Sequence, residues 1–409
     1  MSYLKVGAKK IFDGFRFHTQ SVLVTQADGT IEAIVPHTQA GDDVQQYDGI
    51  LMPGHINAHC HLELSHLKDV IPPHTGLIEF LCSVVTKREV SPKTSLEGET
   101  YEDPAVKKRN AIIAAEKEMF DNGIVAVGDI GNTADTAAIK SRSGIRWQNF
   151  VEVLSFTDEK AEANMLQYKE VLNKMIDDRL ADGGRTSTNR QRSSLVPHAP
   201  YSISPKTFQL LNEATKNQII SIHNQEHPAE DELYKTGGGD YLKLFKIFGI
   251  EQSPFPVTGK SSIRSVLPYF NNGQTIFLIH NTYMPEEDIV WANEFAAANG
   301  LQLVYCFCIN ANLYIENNVP PIDLFIKHHC HIVLGTDSYS SNWQLSIAKE
   351  IAAIKKHFPH IADETILQWA TINGAKALQW DSALGTFEKG KRPGVVEVNQ
   401  NIDDSVRIF

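Results

Sequence analysis

Eight short apolar runs, each separated from the next by a helix-like stretch, most constrain what this chain can fold into. They cover residues 50–58, 124–129, 145–153, 194–198, 219–223, 275–280, 302–306 and 331–336. Apolar runs of this length, alternating with longer amphipathic stretches, read as parallel strands with crossover helices. The helical stretches carry their own end signals. Residues 107–122 are amphipathic and stop at Gly123, a favourable residue just past a helix. Ser204-Pro205 places a cap residue before a first-turn proline, and Pro285 opens a stretch that stops at Gly300. Residues 343–357 and 364–378 complete the set. Eight strands alternating with helices predict an α/β fold, a (β/α)8 TIM barrel.

The ends of the chain follow a different rule. Residues 3–6, 21–25 and 31–35 alternate as short strands, and Ala27-Asp28-Gly29 is a hairpin signal. The tail returns to this pattern at 385–387 and 394–398. The expectation is a small β-sandwich from residues 1–50 plus 384–409, flanking a barrel over 51–383. Two connections, 62–107 and 225–273, are long enough to be functional loops covering one barrel face. Segment 181–194 is polar and reads as an exposed loop.

Polar residues end several of the apolar runs. They are His59 and His61 in Ile-Asn-Ala-His-Cys-His, then His198, His223, His280 and Asp337. Residues two apart in a strand point the same way, so His59 and His61 aim two imidazoles at one point. In a barrel the C-terminal ends of all strands share one face, where reactive groups gather. His59, His61, His223 and Asp337 offer three nitrogens and one oxygen, the ligand set of a catalytic zinc or iron with an open position for water. Such a metal brings the pKa of bound water towards neutrality. Glu226, three residues past His223, is a candidate to move protons. His280 ends an apolar strand and could orient the attacking oxygen. Asp337 could bind metal through one oxygen and accept the water's proton through the other. His198 could touch substrate or the water.

Composition excludes more than it assigns. A formal charge of −11 over 409 residues argues against nucleic acid or an anionic membrane as the main partner. The first residues lack an apolar signal-peptide core, and no apolar run is long enough to span a bilayer, so a cytoplasmic protein is expected. Five cysteines without framework spacing read as reduced thiols. Cys306 and Cys308 read as small apolar residues of a buried strand ahead of metal ligands.

These motifs resemble, in order, those of the amidohydrolase superfamily. Pro53-Gly-His-Ile-Asn-Ala-His-Cys-His-Leu resembles its opening motif. Pro197-His-Ala-Pro-Tyr-Ser, His223-Asn-Gln-Glu, His280-Asn-Thr and Leu334-Gly-Thr-Asp-Ser resemble successive motifs of its mononuclear deaminase and chlorohydrolase branch. Ala370-Thr-Ile-Asn-Gly-Ala-Lys-Ala-Leu and Gly385-Thr-Phe-Glu-Lys-Gly-Lys look like its closing helix and strand. The resemblance covers almost the whole chain. It implies a distorted barrel with a terminal β-sandwich, one divalent metal, and hydrolytic removal of an amine or similar group from a ring. Its metal positions map to His59, His61, His223 and Asp337, its proton shuttle to Glu226, and its sixth-strand histidine to His280. Binuclear members carry a lysine at the end of the fourth strand, where this chain has His198; one metal is expected, zinc first and iron second. A homodimer is implied at the same level.

The chain also departs from the pattern. Gln225 stands where alanine is usual, Ser338-Tyr-Ser-Ser-Asn replaces Gly-Ala-Ala-Ser-Asn, and Arg392-Pro-Gly-Val-Val-Glu replaces Ala-Asp-Leu-Val. None of these touches an expected ligand. His61-Leu-Glu-Leu-Ser is similar to the corresponding stretch of aminodeoxyfutalosine deaminases, which act on a 6-aminopurine nucleoside. That likeness makes Glu63 an expected contact to ring nitrogen or ribose. Asn310 and Asn312 sit where the family's seventh-strand loop meets substrate. The expected function is a metal-dependent aminohydrolase releasing ammonia from an adenine-type nucleoside, a small-molecule substrate. The alternatives are hydrolysis of a ring amide or carbon–chlorine bond on the same site, and a catalytically silent scaffold.

Overall fold

The computed structural model describes residues 3–89, 103–181 and 190–409, with side chains of 177–181 excepted. Both ends of the chain build one mixed sheet. Strands β1 (Tyr3–Phe12), β2 (Phe17–Gln26), β3 (Ile31–Pro36) and β4 (Gln45–Pro53) come from the front of the chain. The tail adds two more, and the order across the sheet places those two beside β4, then β1, β2 and β3. β4 runs parallel to β1 and antiparallel to the first tail strand. One face of this sheet buries Val6, Ile11, Leu23, Leu51 and Phe387 as a core of its own.

The run expected over 50–58 is two strands. β4 ends at Pro53, and β5 (His55–Cys60) begins after Gly54. Proline cannot donate to a ladder, and it marks the place where the chain leaves one sheet for the other. Gly54 is required there: a Cβ would lie 2.3 Å from Val125 Cγ1 and 2.8 Å from the Pro393 carbonyl. β5, β6 (Ile124–Gly131), β7 (Arg146–Val153) and β8 (Gln191–Pro197) form one parallel sheet. β9 (Ile219–Asn224), β10 (Thr275–His280), β11 (Gln302–Phe307) and β12 (Ile332–Leu334) form another. Two seams close them into a barrel. At one, Cys60 bridges Asp337. At the other, His223 N–H donates to the His198 carbonyl at 2.9 Å and Ser194 Oγ donates to Ile219 O at 2.7 Å. β5, β6, β9 and β10 are buried along their whole length, as expected for parallel strands covered on both faces. The tail strands are β13 (Val395–Val398) and β14 (Ser405–Arg407).

Helix ends follow the local chemistry. The helix Pro104–Asp121 has Asp103 accepting from Ala105 N–H and ends before Gly123, which sits at φ +80°. Ser204 caps Pro205–Ala214 by accepting from Thr207 N–H. The stretch expected over 343–357 is helical only from Ile347 to His357. Before it, Asn342 is anchored: its amide donates to the Thr336 carbonyl at 2.8 Å and to Glu350 at 3.1 Å. The stretch expected over 364–378 is broken by a π turn, Trp369–Asn373.

The two long connections hold structure. The first carries a 3-10 turn, Leu62–Leu67, and the helix Leu77–Lys87, with residues 90–102 outside the described part. The second carries helices Pro228–Thr236, Tyr241–Ile247 and Ser262–Val266. Helices Leu77–Lys87 and Tyr241–Ile247 touch, so the two insertions meet above the barrel. Of the segment expected as an exposed loop, 182–189 lie outside the described residues, and 191–194 belong to β8. No described helix is long and apolar enough to cross a membrane. All five cysteines are free, with Cys306 and Cys308 buried in and just after β11.

Candidate active site

The C-terminal ends of the barrel strands bring the expected residues together. The ring centroids of His59 and His61 lie 4.9 Å apart, those of His59 and His223 5.1 Å, and those of His61 and His223 5.4 Å. Asp337 Oδ1 stands 3.4 Å from His59 Nε2 and 3.5 Å from His61 Nε2. Ligand atoms of His59, His61 and His223 converge within 4.8 Å of one another, and so do those of His59, His280 and Asp337. Several of these residues sit where the strand must turn sharply: His280 has φ +69°, Asp337 +56° and Gln225 +41°. Non-glycine residues held in this region cost energy and are frequent at functional sites.

The electrostatics suit a cation. Both ring nitrogens of His59 are buried without a hydrogen bond. A buried polar atom left unpaired is costly, and a metal ion relieves that cost. Burial pushes the pKa of His61 and of His223 well below the usual range, so both are neutral and can ligate. His223 Nδ1 donates to the His198 carbonyl at 2.8 Å, which turns Nε2 to the cluster. Asp337 Oδ2 accepts from Ser341 Oγ at 2.6 Å. Burial opposes ionisation of Asp337, but His59, His61 and His280 outweigh it and hold its pKa below the ordinary carboxylate range. These donors fit one divalent ion.

Glu226 and His280 flank the cluster. Glu226 Oε1 is 3.6 Å from His280 Nε2. Burial, with the Asp337 charge next, raises the Glu226 pKa well above its ordinary value. His280 is pushed down to about 4, chiefly by burial, and its Nδ1 donates to Asn312 Oδ1 at 2.8 Å. A carboxyl group with a raised pKa beside a neutral imidazole is a pair suited to proton transfer. His198 lines the same cavity, its Nδ1 hydrogen-bonded to Ser202 Oγ at 2.8 Å, and burial lowers its pKa to about 3.

The side chains of three expected substrate contacts are hydrogen-bonded within the chain. Glu63 is buried and its carboxylate is already occupied. It pairs with Arg88 and accepts from Asn132 N–H, Thr133 N–H and, at 2.9 Å, Thr133 Oγ1. Arg88, not Glu63, lines the cavity, and its Nη1 also donates to Asn132 Oδ1 at 2.7 Å. Asn310 is bonded to Glu350, through its amide at 2.9 Å and its main-chain N–H at 3.0 Å. Asn312 serves His280. None of the three lines the cavity.

Sequence reasoning missed Glu152. It lies one residue before the end of β7, with Oε1 3.8 Å from His223 Nδ1, and burial raises its pKa to about 8. The signal was available: an acidic residue closing an apolar run, as Asp337 does. Gln225, the departure beside Glu226, also has a role here. Its N–H donates to Glu230 Oε1 at 2.9 Å, and its side-chain amide donates to Asp288 at 2.8 Å. These bonds fix the strained turn that presents Glu226.

Glu230 makes a testable pH dependence. It is buried and accepts from Ser262 Oγ at 2.5 Å, and burial raises its pKa from 4.5 to about 8. Between those values the unfolded chain holds fewer protons at this site than the folded one, so stability falls as pH rises. Glu230→Gln keeps the acceptor and removes the titration. Thermal melts from pH 5 to 8 should slope less steeply downward in the variant than in the parent, and equal slopes would refute the assignment.

The amidohydrolase family model matches residues 50–405. The chain belongs to the amidohydrolase family. Among curated amidohydrolase relatives, the 5-methylthioadenosine/S-adenosylhomocysteine deaminase of Thermoanaerobacter pseudethanolicus is 26% identical over 365 residues, covering 86% of this chain and 73% of that one. The aminodeoxyfutalosine deaminase of Nitratiruptor sp. is 24% identical over 368 residues, covering 90% and 82%. Among solved structures, Helicobacter pylori aminofutalosine deaminase superposes with a TM-score of 0.72 at 20% identity, covering 98% of this chain and 93% of that one. An adenosine deaminase from Xanthomonas campestris with bound zinc gives 0.69 at 18% identity, covering 97% and 84%. These structures share the barrel fold with this amidohydrolase.

Proposed function

We propose that this amidohydrolase is a deaminase of adenine-type nucleosides that uses one divalent metal, zinc first, held by His59, His61, His223 and Asp337. The observation that carries the reading is the meeting of that cluster with Glu226 and His280, whose Oε1 and Nε2 lie 3.6 Å apart, in one cavity. The deaminase names of the relatives support it. The metal, when bound, supplies an activated water at neutral pH. The chain's own residues do the rest. Glu226 donates its proton to the ring nitrogen beside the amine-bearing carbon, which prepares that carbon for attack. Asp337, ionised and oriented by Ser341, accepts the proton of the attacking oxygen. His280, fixed by Asn312, hydrogen-bonds that oxygen. The amine then leaves as ammonia when a proton reaches it.

The cavity wall bears on the substrate. Leu77, Phe80, Leu81 and Val84 from one insertion and Leu244 and Phe248 from the other line it opposite the polar cluster. An aminopurine nucleoside with an apolar or aromatic 5′ substituent, aminodeoxyfutalosine favoured, suits that wall better than one ending in a free hydroxyl. Ammonia release from aminodeoxyfutalosine, 5′-methylthioadenosine, S-adenosylhomocysteine and adenosine, together with chloride release from a chlorotriazine, tests both levels of the reading. The expected result is fastest turnover on the first two. Turnover of the chlorotriazine alone would replace the reading with halide hydrolysis.

A further inference from the structure

A row of polar side chains crosses three neighbouring barrel strands beside the metal cluster. Strand register places Asp129 of β6, Asn149 of β7 and Ser193 of β8 side by side, next to Cys60 of β5. Lys140 joins the row from the short helix Ala137–Lys140, in the crossover between β6 and β7. Its ammonium pairs with Asp129 and donates to Asn149 Oδ1 at 2.8 Å. Asn149 Nδ2 donates in turn to Ser193 Oγ at 3.3 Å. The Asp129 and Lys140 side chains are each 1% exposed. Taking two charges out of water is costly, and a buried pair is by itself a weak source of stability. The proton-transfer steps use neither residue.

The other oxygen of Asp129 reaches the metal cluster's own strand. Asp129 Oδ1 accepts from Leu62 N–H at 2.8 Å, and Leu62 directly follows His61. The peptide linking those two residues is held at both ends, because the His61 carbonyl accepts from Leu64 N–H at 3.1 Å. Ser65 Oγ then donates to the Leu62 carbonyl at 2.7 Å. His61 sits at φ −119°, ψ 78°, where the strand gives way to the 3-10 turn. Fixing that peptide plane fixes ψ of His61, and the rotamers open to its imidazole depend on the backbone angles. His223 and His280 are oriented through their rings, each donating from Nδ1, to the His198 carbonyl and to Asn312 Oδ1. His61 is held through its backbone.

We propose that Asp129, charge-paired with Lys140, is a positioning residue for the metal ligand His61. The proposal rests on the reading of His61 as a ligand. Asp129 acts through the Leu62 N–H, not through the imidazole. Lys140 engages the second carboxylate oxygen and is itself anchored on Asn149, so Oδ1 stays aimed at that N–H. Outer partners that hold ligands in place are worth about 10–100-fold in metal affinity.

The test compares two double variants of the full-length protein. Asp129→Asn/Lys140→Met removes both charges and leaves an acceptor for the Leu62 N–H. Asp129→Leu/Lys140→Met removes the acceptor as well, and apolar residues of similar volume often replace a buried ion pair without loss of stability. Zinc affinity is measured by competition with a chelator. It should stay close to the parent's in the first variant and fall roughly 10–100-fold in the second. The absorption bands of cobalt bound in place of zinc should match the parent in the first and shift in the second, a change that lower stability alone does not produce. Equal zinc affinities in the two double variants overturn the proposal, whatever their melting temperatures. If Asp129→Leu/Lys140→Met does not fold, Asp129→Val in the same background takes its place. His61→Ala separates the two levels of the reading. If it loses zinc while the double variants bind zinc alike, the ligand reading stands and this proposal falls. If it keeps zinc, the ligand reading fails and takes the proposal with it.

Discussion

Glu226→Gln is expected to keep its metal and to lose turnover by roughly a hundredfold or more, the scale of acid–base catalysis. Glutamine has the shape of the acid and its hydrogen-bonding reach, but it cannot hand over a proton at neutral pH. Burial, and then the Asp337 charge, raise the pKa of the Glu226 carboxyl well above its ordinary value, which favours the protonated, donating form. The parent enzyme should therefore lose activity as pH rises through the Glu226 pKa, because the donor form disappears. The variant's residual activity should lack that limb. Metal analysis separates the two roles: full occupancy with lost turnover assigns proton transfer. Near-parental turnover on an identified substrate would remove Glu226 from the mechanism.

His61→Ala is expected to release the metal. The proposed ligand set is three imidazoles and one carboxylate, so removing one leaves only three donors. Losing an outer-shell partner typically weakens metal affinity by about 10–100-fold, and losing a ligand should exceed that. The measurement is metal content after dialysis against a weak chelator. The melting temperature should fall with it, since metal binding is linked to folding. Cys60→Ser is the control. It is the last residue of β5, between His59 and His61, points to the other side of the strand from His59, and should retain metal. Full occupancy in His61→Ala would show that His61 is not a ligand.

How much of this was legible in the chain differs by residue. His59 and His61 could be paired from their spacing alone, because a strand repeats every two residues. His223, His280 and Asp337 could be placed on the same face because eight alternating strands leave one geometry for their C-terminal ends. Glu226 followed from its place three residues past His223. Tertiary structure decided the rest. The break at Pro53-Gly54 depends on Val125 and Pro393, which are remote in sequence. Glu63 reads as a substrate contact in the motif. Its carboxylate is instead held by Arg88, Asn132 and Thr133, 25 to 70 residues away. The helices of the two insertions, and the apolar wall they make over the site, carry weak local signals and form because they pack on each other. Local spacing determines which way a side chain points along its own strand or helix. What that side chain meets is set by loop closure and packing between distant segments, and only the folded chain contains that information.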